Sequence, residues 1–278
     1  MITKHRGLRG ILTHAMLLVT AIAAALPFLW VISLSLQDAQ AVFRVPPELI
    51  PRQFLWSTYI LAWVSQSFGR MYWNSILSST LIIVAQILTC SLAAYALTQL
   101  RFRGKQGVFL LLISTMMVPV QVTFIPAYIV LSKLNWVNTY YALIIPFAAS
   151  GFAIFLMRQT FLTIPQSLID AAKIEGAGHW VMLSRILLPL AKPTVITLTA
   201  LNFVWHYNDF FWPLIVTNSS DMRTLPVGLA QMIVNEGGQG TQWNQVMAAD
   251  VITVAPVLVA FFFLQRHLTS TVLTAGLK

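Results

Sequence analysis

Six apolar stretches of 18 to 30 residues constrain this chain more than any other feature of its sequence. A helix rises about 1.5 Å per residue, so about 20 apolar residues cross the roughly 30 Å hydrocarbon core of a bilayer. The backbone finds no water there, and its polar groups must bond within each segment, which favours helices. Charged residues make up 9% of the chain, against about 25% in soluble domains. We therefore predict an all-α, polytopic membrane protein with six spans: residues 11–36, 71–100, 108–131, 140–157, 191–216 and 246–265.

The first stretch has two interpretations. Basic residues precede it and three alanines lie at 23–25, as in a cleaved signal peptide. Its apolar run is longer than the roughly 7–15 residues of a signal core, which favours a retained span. The length supports one membrane domain over residues 1–278.

The 17 basic residues divide unequally between the two sides that six spans define. Twelve lie on the side of the N-terminus: Lys4, Arg6, Arg9, Arg101, Arg103, Lys105, Arg158, Lys173, Arg185, Lys192, Arg266 and Lys278. Five lie on the other side: Arg44, Arg52, Arg70, Lys133 and Arg223. An excess of Lys and Arg marks the cytoplasmic side, so both termini and residues 158–192 are predicted to be cytoplasmic. The formal charge of +9 is spread over short loops and does not indicate nucleic-acid binding.

Residues 161–190 form the longest cytoplasmic stretch between two predicted spans. Pro165 stands where a first helical turn would begin. Small and apolar residues then recur with helical spacing on one predicted face: Leu168, Ile169, Ala172 and Gly176. Gly176 and Gly178 are suited to a left-handed turn, and a second short helix is predicted over residues 179–187.

This 161–190 segment resembles the "EAA" loop of binding-protein-dependent ABC-transporter permeases. The likeness rests on Asp170-Ala171-Ala172-Lys173-Ile174-Glu175-Gly176, followed by Ile186-Leu187-Leu188-Pro189. In that family the loop is a coupling helix, which docks into a groove on a separate ATPase subunit. The resemblance implies a coupling role for six residues: Asp170, Ala171, Ala172, Glu175, Gly176 and Pro189. The alternative is an amphipathic interfacial helix without a partner.

A second motif lies in the fifth predicted span. Residues 208–213 (NDFFWP) resemble a W-N-D motif of the sugar-permease branch, with Tyr207 where that branch has Trp. Aromatic rings stack on the C–H faces of sugars, while Asn and Asp bond hydroxyl groups, as in pockets with a few placed polar groups. The alternative is helix packing around a capped Asn–Asp pair. Further likeness lies in TLPVGL at 224–229, WN with MAA at 243–249, and LTAG at 273–276.

Other polar residues within the predicted spans leave two interpretations open. Gln121 lies between Pro119 and Pro126, and either lines a solute pathway or belongs to a kinked packing helix. Ionisable residues inside a membrane indicate function by default, so Asp209 and Asp250 also support a proton-coupled secondary transporter. The candidate substrate-path residues are Gln121, Tyr207, Asn208, Asp209, Trp212 and Asp250.

Catalytic and cofactor motifs are missing from the sequence. It contains neither G-x-x-x-x-G-K-[ST] nor H-E-x-x-H, and it has one cysteine, Cys90. A membrane-embedded enzyme is a further alternative, but no spaced acid pair or nucleophile–base set supports it. We predict no enzymatic activity, no catalytic residue, no metal and no cofactor in this chain.

The family resemblance implies the fold and role of the whole chain. It implies a type I ABC importer permease with a core over residues 71–266 and a coupling loop at 161–190. Such a subunit forms half of the translocation pathway for a sugar or sugar-like solute, such as an oligosaccharide, a polyol or glycerol phosphate. Its expected partners are a second homologous permease, two ATP-binding subunits that bind and hydrolyse ATP, an extracytoplasmic solute-binding protein and membrane lipid. Its expected location is the bacterial inner membrane.

Overall fold

The computed structural model describes residues 4–64, 67–235 and 242–275, and within those ranges it contains helices and connecting segments but no strand. The prediction of an all-α chain is confirmed. The first helices are α1 (Lys4–Ser35), α2 (Ser57–Val64), α3 (Phe68–Gln99), α4 (Lys105–Thr115), α5 (Phe124–Lys133), α6 (Tyr140–Ile144) and α7 (Gly151–Thr163). The later ones are α8 (Gln166–Ile174), α9 (His179–Val181), α10 (Leu188–Leu190), α11 (Lys192–Tyr207), α12 (Phe211–Val216), α13 (Leu225–Asn235) and α14 (Trp243–Ala275).

Helices long and apolar enough to cross a membrane support the predicted six spans. Three do so singly: Gly10–Ser35, Phe68–Gln99 and Trp243–Phe263. Three bent pairs pass the same test together: α4 with Val120–Lys133 (94°), Tyr140–Phe147 with α7 (43°), and His179–Leu190 with α11 (77°). Counting each pair as one span gives up to six, the number predicted from the sequence, although the last pair joins α11 to His179–Leu190 and not to α12 as in the predicted span 191–216.

The third span bends at one of its two prolines. Pro119 precedes a 3₁₀ helix at Val120–Thr123, and the chain turns there. Pro126 falls in the first turn of α5, where a missing N–H removes no helical hydrogen bond. Pro126 therefore does not interrupt α5.

The fifth span differs from its prediction as one helix over 191–216. It runs as α11, breaks at residues 208–210, and resumes as α12. Pro213 has no N–H to give to the carbonyl of Asp209, which weakens the helix at this point and favours a break. Hydropathy measures only how apolar a stretch is, so it does not predict the break at residues 208–210 that Pro213 favours.

The described residues separate into two compact units. One comprises those up to Phe68 together with Leu229–Ala255. Within it, the Asn244 side chain donates to the Gln37 carbonyl at 3.0 Å, and Ser35 Oγ and Tyr59 Oη lie 2.8 Å apart. The other comprises Gly69–Gly228 and the described residues from Pro256 onward. The expectation of one permease domain, with its 71–266 core, stays a prediction.

The main core of the second unit joins α3, α4 and α7 to the 161–190 segment. Its buried members include Cys90, Ala94, Tyr95, Leu97, Phe109, Ala153, Ile154, Met157, Phe161, Ile169, Met182, Leu183, Leu187, Ala191 and Leu198. At one edge of this core, α7 begins so close to α4 that a Cβ on Gly151 would come within 2.9 Å of the Leu112 carbonyl. Glycine therefore permits the close packing of these two helices.

Polar residues on α3 bond to neighbouring segments, as small and polar residues do between membrane helices. Asn74 Nδ2 donates to the carbonyls of Asp221 and Arg223 at 2.7 and 2.9 Å. Gln86 and Thr89 donate to the carbonyls of Phe147 and Ala148, at 2.7 and 2.6 Å. Those carbonyls lie at the bend before α7, so α3 satisfies backbone groups that the bend leaves without helical partners.

Candidate functional site

The helix α8 has a buried side and an exposed side. Ile169 and Ala172 are 1% and 8% exposed and pack into the core. Leu168 and Ile174 are 48% and 88% exposed. The predicted common face is therefore wrong for Leu168 and for Gly176, which are both exposed. In this nine-residue helix only Ile169 and Ala172, three positions apart, are buried.

The turn after α8 is made by one glycine. Gly176 has a φ of +84°, the left-handed region that glycine adopts without strain. Its N–H donates to the Lys173 carbonyl at 3.0 Å, and the N–H of Ala177 donates to the Ala172 carbonyl at 2.9 Å. These two bonds form a Schellman motif. Gly178 has a φ of −69°, so the predicted left-handed turn involves Gly176 but not Gly178.

The second half of the 161–190 segment is helical from His179 to Leu190 and contains a π-helical stretch at Met182–Leu187. Met182 and Leu187 are buried at 2% and 0% exposure, whereas Trp180 is 65% exposed. His179 Nδ1 lies 2.7 Å from Tyr95 Oη. This contact ties the segment to the C-terminal part of α3.

Five of the six residues predicted to couple the chain to an ATPase are exposed: Asp170, Ala171, Glu175, Gly176 and Pro189. The sixth, Ala172, faces the core of its own chain. Asp170 accepts a hydrogen bond from Gln166 at 2.9 Å and lies 3.7 Å from Lys173 Nζ. The exposed side of the segment therefore combines these polar groups with the large apolar side chains of Leu168, Ile174 and Trp180.

The break between α11 and α12 places four predicted substrate-path residues together. Tyr207 is 1% exposed, and its ring stacks on Phe203 with centroids 5.3 Å apart. Asn208 is exposed and its Nδ2 donates to the Val204 carbonyl at 2.9 Å. Asp209 Oδ1 accepts the N–H of Trp212 at 3.5 Å. The Asn–Asp pair thus terminates one helix and begins the next.

Trp212 is a core residue. It is 2% exposed, and its indole N–H donates to the Ala142 carbonyl at 2.9 Å. Its ring packs against Phe124 and Phe147, with centroids 5.4 and 5.8 Å apart. In this conformation Trp212 and Tyr207 shape the break from inside, and Asn208 and part of Asp209 reach its surface.

The other two predicted path residues lie on separate elements. Gln121 is exposed in the 3₁₀ helix before α5. Asp250 is partly exposed on α14, in the unit that contains Leu229–Ala255.

Known proteins similar to this chain identify its family. Residues 86–273 match the family described as binding-protein-dependent transport system inner membrane component. The chain is 37% identical over 273 residues to the sn-glycerol-3-phosphate transport system permease protein UgpE of Yersinia enterocolitica, with 96% of each chain covered. It is 32% identical over 270 residues to the UgpE of Brucella abortus, with 95% of each covered. The chain belongs to this permease family.

A solved structure supports the fold of the permease. The chain aligns with a chain of a bacterial ABC transporter involved in the import of the acidic polysaccharide alginate, at a TM-score of 0.84 and 25% identity. The alignment covers 96% of this permease and 98% of that chain. As a member of its family, the permease is a multi-pass inner-membrane subunit of a binding-protein-dependent ABC importer. It is not an enzyme, and the ATPase is a separate subunit.

Three contacts of the permease were not predicted from its sequence. Tyr95 meets His179, Gln86 Nε2 lies 3.3 Å from His206 Nε2, and the Arg158 guanidinium lies 3.9 Å above the Phe109 ring. Each joins residues at least 49 positions apart. The histidine on the apolar helix α11, His206, is the one signal that could have marked the second of them, because a partly buried imidazole needs a polar partner.

Proposed function

We propose that the exposed side of the 161–190 segment docks on the ATPase subunit and transmits its motion to the spans. The observation that carries this proposal is the division of the segment into two sides. Ile169, Met182 and Leu187 anchor one side in the core, while Leu168, Ile174 and Trp180 are exposed on the other. Outside the bilayer, large exposed apolar side chains indicate an interaction surface.

The bend before α11 supports the same proposal. The axes of His179–Leu190 and α11 differ by 77°. With α11 crossing the bilayer, a segment at that angle lies close to the membrane plane. The excess of basic residues on the side of the N-terminus supports a cytoplasmic position for the segment and for both termini.

The packing suggests how the motion travels. ATP-driven closure of the ATPase dimer would move the docked segment, and the segment would carry Tyr95 of α3 through its contact with His179. Ala191 is fully buried at the bend, so α11 would follow. Packed helices shift as rigid bodies between discrete arrangements, and the pathway would thereby switch between inward-facing and outward-facing states.

A sugar or sugar-like solute is the cargo that we propose for this importer. Two relatives are named for sn-glycerol-3-phosphate and a similar structure for the acidic polysaccharide alginate, and both solutes carry hydroxyl groups together with an acidic group. Asn208 and Asp209 can bond hydroxyls at the break between α11 and α12, while Tyr207 and Trp212 hold the break in shape. Gln121 and Asp250 are further candidates along the pathway.

The proposed assembly contains this permease as one half of the pathway, a second homologous permease, two ATP-binding subunits and an external binding protein. A related fold, at a TM-score of 0.62 and 19% identity, comes from an alginate transporter in complex with a periplasmic protein. In a proton-coupled transporter, by contrast, Asp209 would have to exchange protons. The Asp209 carboxylate instead accepts the Trp212 N–H at the start of α12, which is a structural role.

Substitutions at Gly176 test the coupling proposal. Gly176→Asp adds a charge and a side chain at an exposed left-handed position and should abolish ATP-driven uptake while the protein remains in the membrane. Asn has the same shape as Asp and tolerates a left-handed backbone, so a comparison of Gly176→Asn with Gly176→Asp isolates the effect of charge. Gly176→Ala isolates the backbone strain of a left-handed residue, about 1–2 kcal/mol. Normal uptake by Gly176→Asp would contradict the coupling role.

A further inference from the structure

The loop between α1 and α2 is closed and internally bonded. The Leu55 N–H donates to the Leu36 carbonyl at 2.9 Å, which joins its two ends. Ser33 Oγ donates to the Leu49 carbonyl at 2.7 Å. The proposed orientation places this loop on the side of the membrane opposite the cytoplasm. Loops held on a rigid scaffold are frequent sites of binding.

Four charged side chains of this loop pair with one another. Arg44 bonds to Asp38 and to Glu48, and Arg52 Nη2 lies 2.8 Å from Glu48 Oε1. Two arginines and two carboxylates give a net charge of zero. The loop therefore presents fixed donors and acceptors without an excess of either sign.

These four residues line a cavity of about 400 Å³, together with Gln37 and Gln53. Small-molecule sites commonly measure about 300–1,000 Å³. The cavity lies within one stretch of chain, so the loop alone forms it.

Gln37 supplies a second, independent observation. Its side chain is 4% exposed, and its Nε2 donates to Ser33 Oγ at 2.9 Å and to the Glu48 carbonyl at 3.0 Å. Because a carbonyl only accepts, the amide nitrogen must occupy that position, and Oε1 is left without a hydrogen-bond partner. A buried acceptor without a partner is costly, and Gln37 lines the cavity.

We propose that this cavity binds a neutral polyhydroxylated solute, a sugar or a polyol, on the outer side of the permease. A hydroxyl both donates and accepts, which suits alternating arginine, carboxylate and amide groups. The zero net charge gives the loop no overall electrostatic attraction for a phosphate or a carboxylate. The inference rests on the proposed function for its orientation and for the solute that reaches it.

Binding to the full chain, together with the subunits that purify with it in lipid nanodiscs, tests the site. Saturation-transfer NMR would use glycerol, maltose and glycerol 3-phosphate as probes. A neutral probe should receive saturation, and Gln53→Trp, which narrows the cavity, should reduce the signal to the part that the proposed pathway site at Asn208 and Asp209 supplies. Arg52→Ala removes a side chain that is 81% exposed and should weaken binding about tenfold. Lys133→Ala, a cation lost from another predicted external loop, should have no effect.

Four results would overturn the proposal. Three of them are no signal from either neutral probe, a signal that Gln53→Trp leaves undiminished, and tighter binding of glycerol 3-phosphate than of glycerol. A signal that arises only after partner subunits are stripped would assign the cavity to a subunit contact and overturn it as well.

ATP-driven uptake, measured in parallel, separates this site from the proposed function. Normal uptake without probe binding would remove the outer site and leave the importer intact. Probe binding without ATP-driven uptake would do the reverse.

Discussion

The 161–190 segment and residues 205–216 (the 205–216 segment) belong to the same compact unit, yet they use their large side chains in opposite ways. In the first, Ile174 and Trp180 are 88% and 65% exposed. In the second, Tyr207 and Trp212 are 1% and 2% exposed and pack within the chain. Both segments carry a family motif, so a motif alone does not distinguish a residue that meets a partner from one that shapes the fold. Burial and hydrogen bonding make that distinction.

Trp212 should give the largest effect on stability. Trp212→Ala removes a buried ring and the donor to the Ala142 carbonyl, and it should lower the free energy of unfolding by about 3–5 kcal/mol. Phe211→Ala, at a neighbouring side chain that is 63% exposed, should change it by about 0.5 kcal/mol or less. Thermal unfolding in detergent measures both. Equal losses would show that the 205–216 segment is not packed as described.

Two isoleucines in α8 sharpen the comparison within the 161–190 segment. Ile169→Ala should lower the free energy of unfolding by about 2–5 kcal/mol because Ile169 is 1% exposed. Ile174→Ala should leave stability nearly unchanged and reduce ATP-driven uptake. Unfolding curves and uptake rates on the same preparations separate the two effects. A stable Ile169→Ala variant, or full uptake by Ile174→Ala, would break the assignment of buried and exposed sides.

The contact of Tyr95 with His179 should have a smaller effect. Tyr95→Phe keeps the ring but removes the hydroxyl that lies 2.7 Å from His179 Nδ1. The loss of one such hydrogen bond corresponds to about 1 kcal/mol of stability. His179→Phe should cost a similar amount, and the double variant should cost less than the sum, because both changes remove one interaction. Strict additivity would show that the two groups do not interact.

Asp170 should give the smallest effect on stability. Its contacts with Gln166 and Lys173 are exposed, so Asp170→Asn should change the free energy of unfolding by about 0.5 kcal/mol or less. A fall in uptake despite that stability would point to a contact with the ATPase. Gln166→Ala is the control, since it removes the same internal hydrogen bond and leaves the charge. Equal uptake by both variants would assign Asp170 no role beyond its own helix.

The spans were predictable because membrane length and apolar composition act locally. Hydropathy located six spans, and the spacing around Gly176 located a turn that the structure forms with a Schellman motif. The break at 208–210 was not predicted, because it depends on the proline at 213 and on side chains that cap two helix ends. The predicted buried face of α8 wrongly included Leu168, because the core covers only Ile169 and Ala172 of this short helix.

Long-range polar contacts could not be predicted from one sequence. Gln86 donates to the Phe147 carbonyl, which lacks a helical partner because the chain bends before α7. No local sequence pattern predicts both the bend and the residue that bonds to it. Trp212 resembles a solute-binding residue by motif, and its place in the core follows from its contacts with Phe124 and Phe147. The cavity of the α1–α2 loop likewise arises from side-chain pairing across the loop.

Recovery of the ATPase with the purified permease tests the central claim most directly. Ile174→Asp places a charge in the middle of the proposed docking surface, whereas Phe102→Asp changes a 43% exposed side chain elsewhere on the predicted cytoplasmic side. After purification from native membranes in mild detergent, we expect two ATPase subunits and a second permease with the wild type and with Phe102→Asp. With Ile174→Asp we expect the second permease and a loss of ATPase. Undiminished ATPase with Ile174→Asp, or no ATPase with the wild type, would contradict the account.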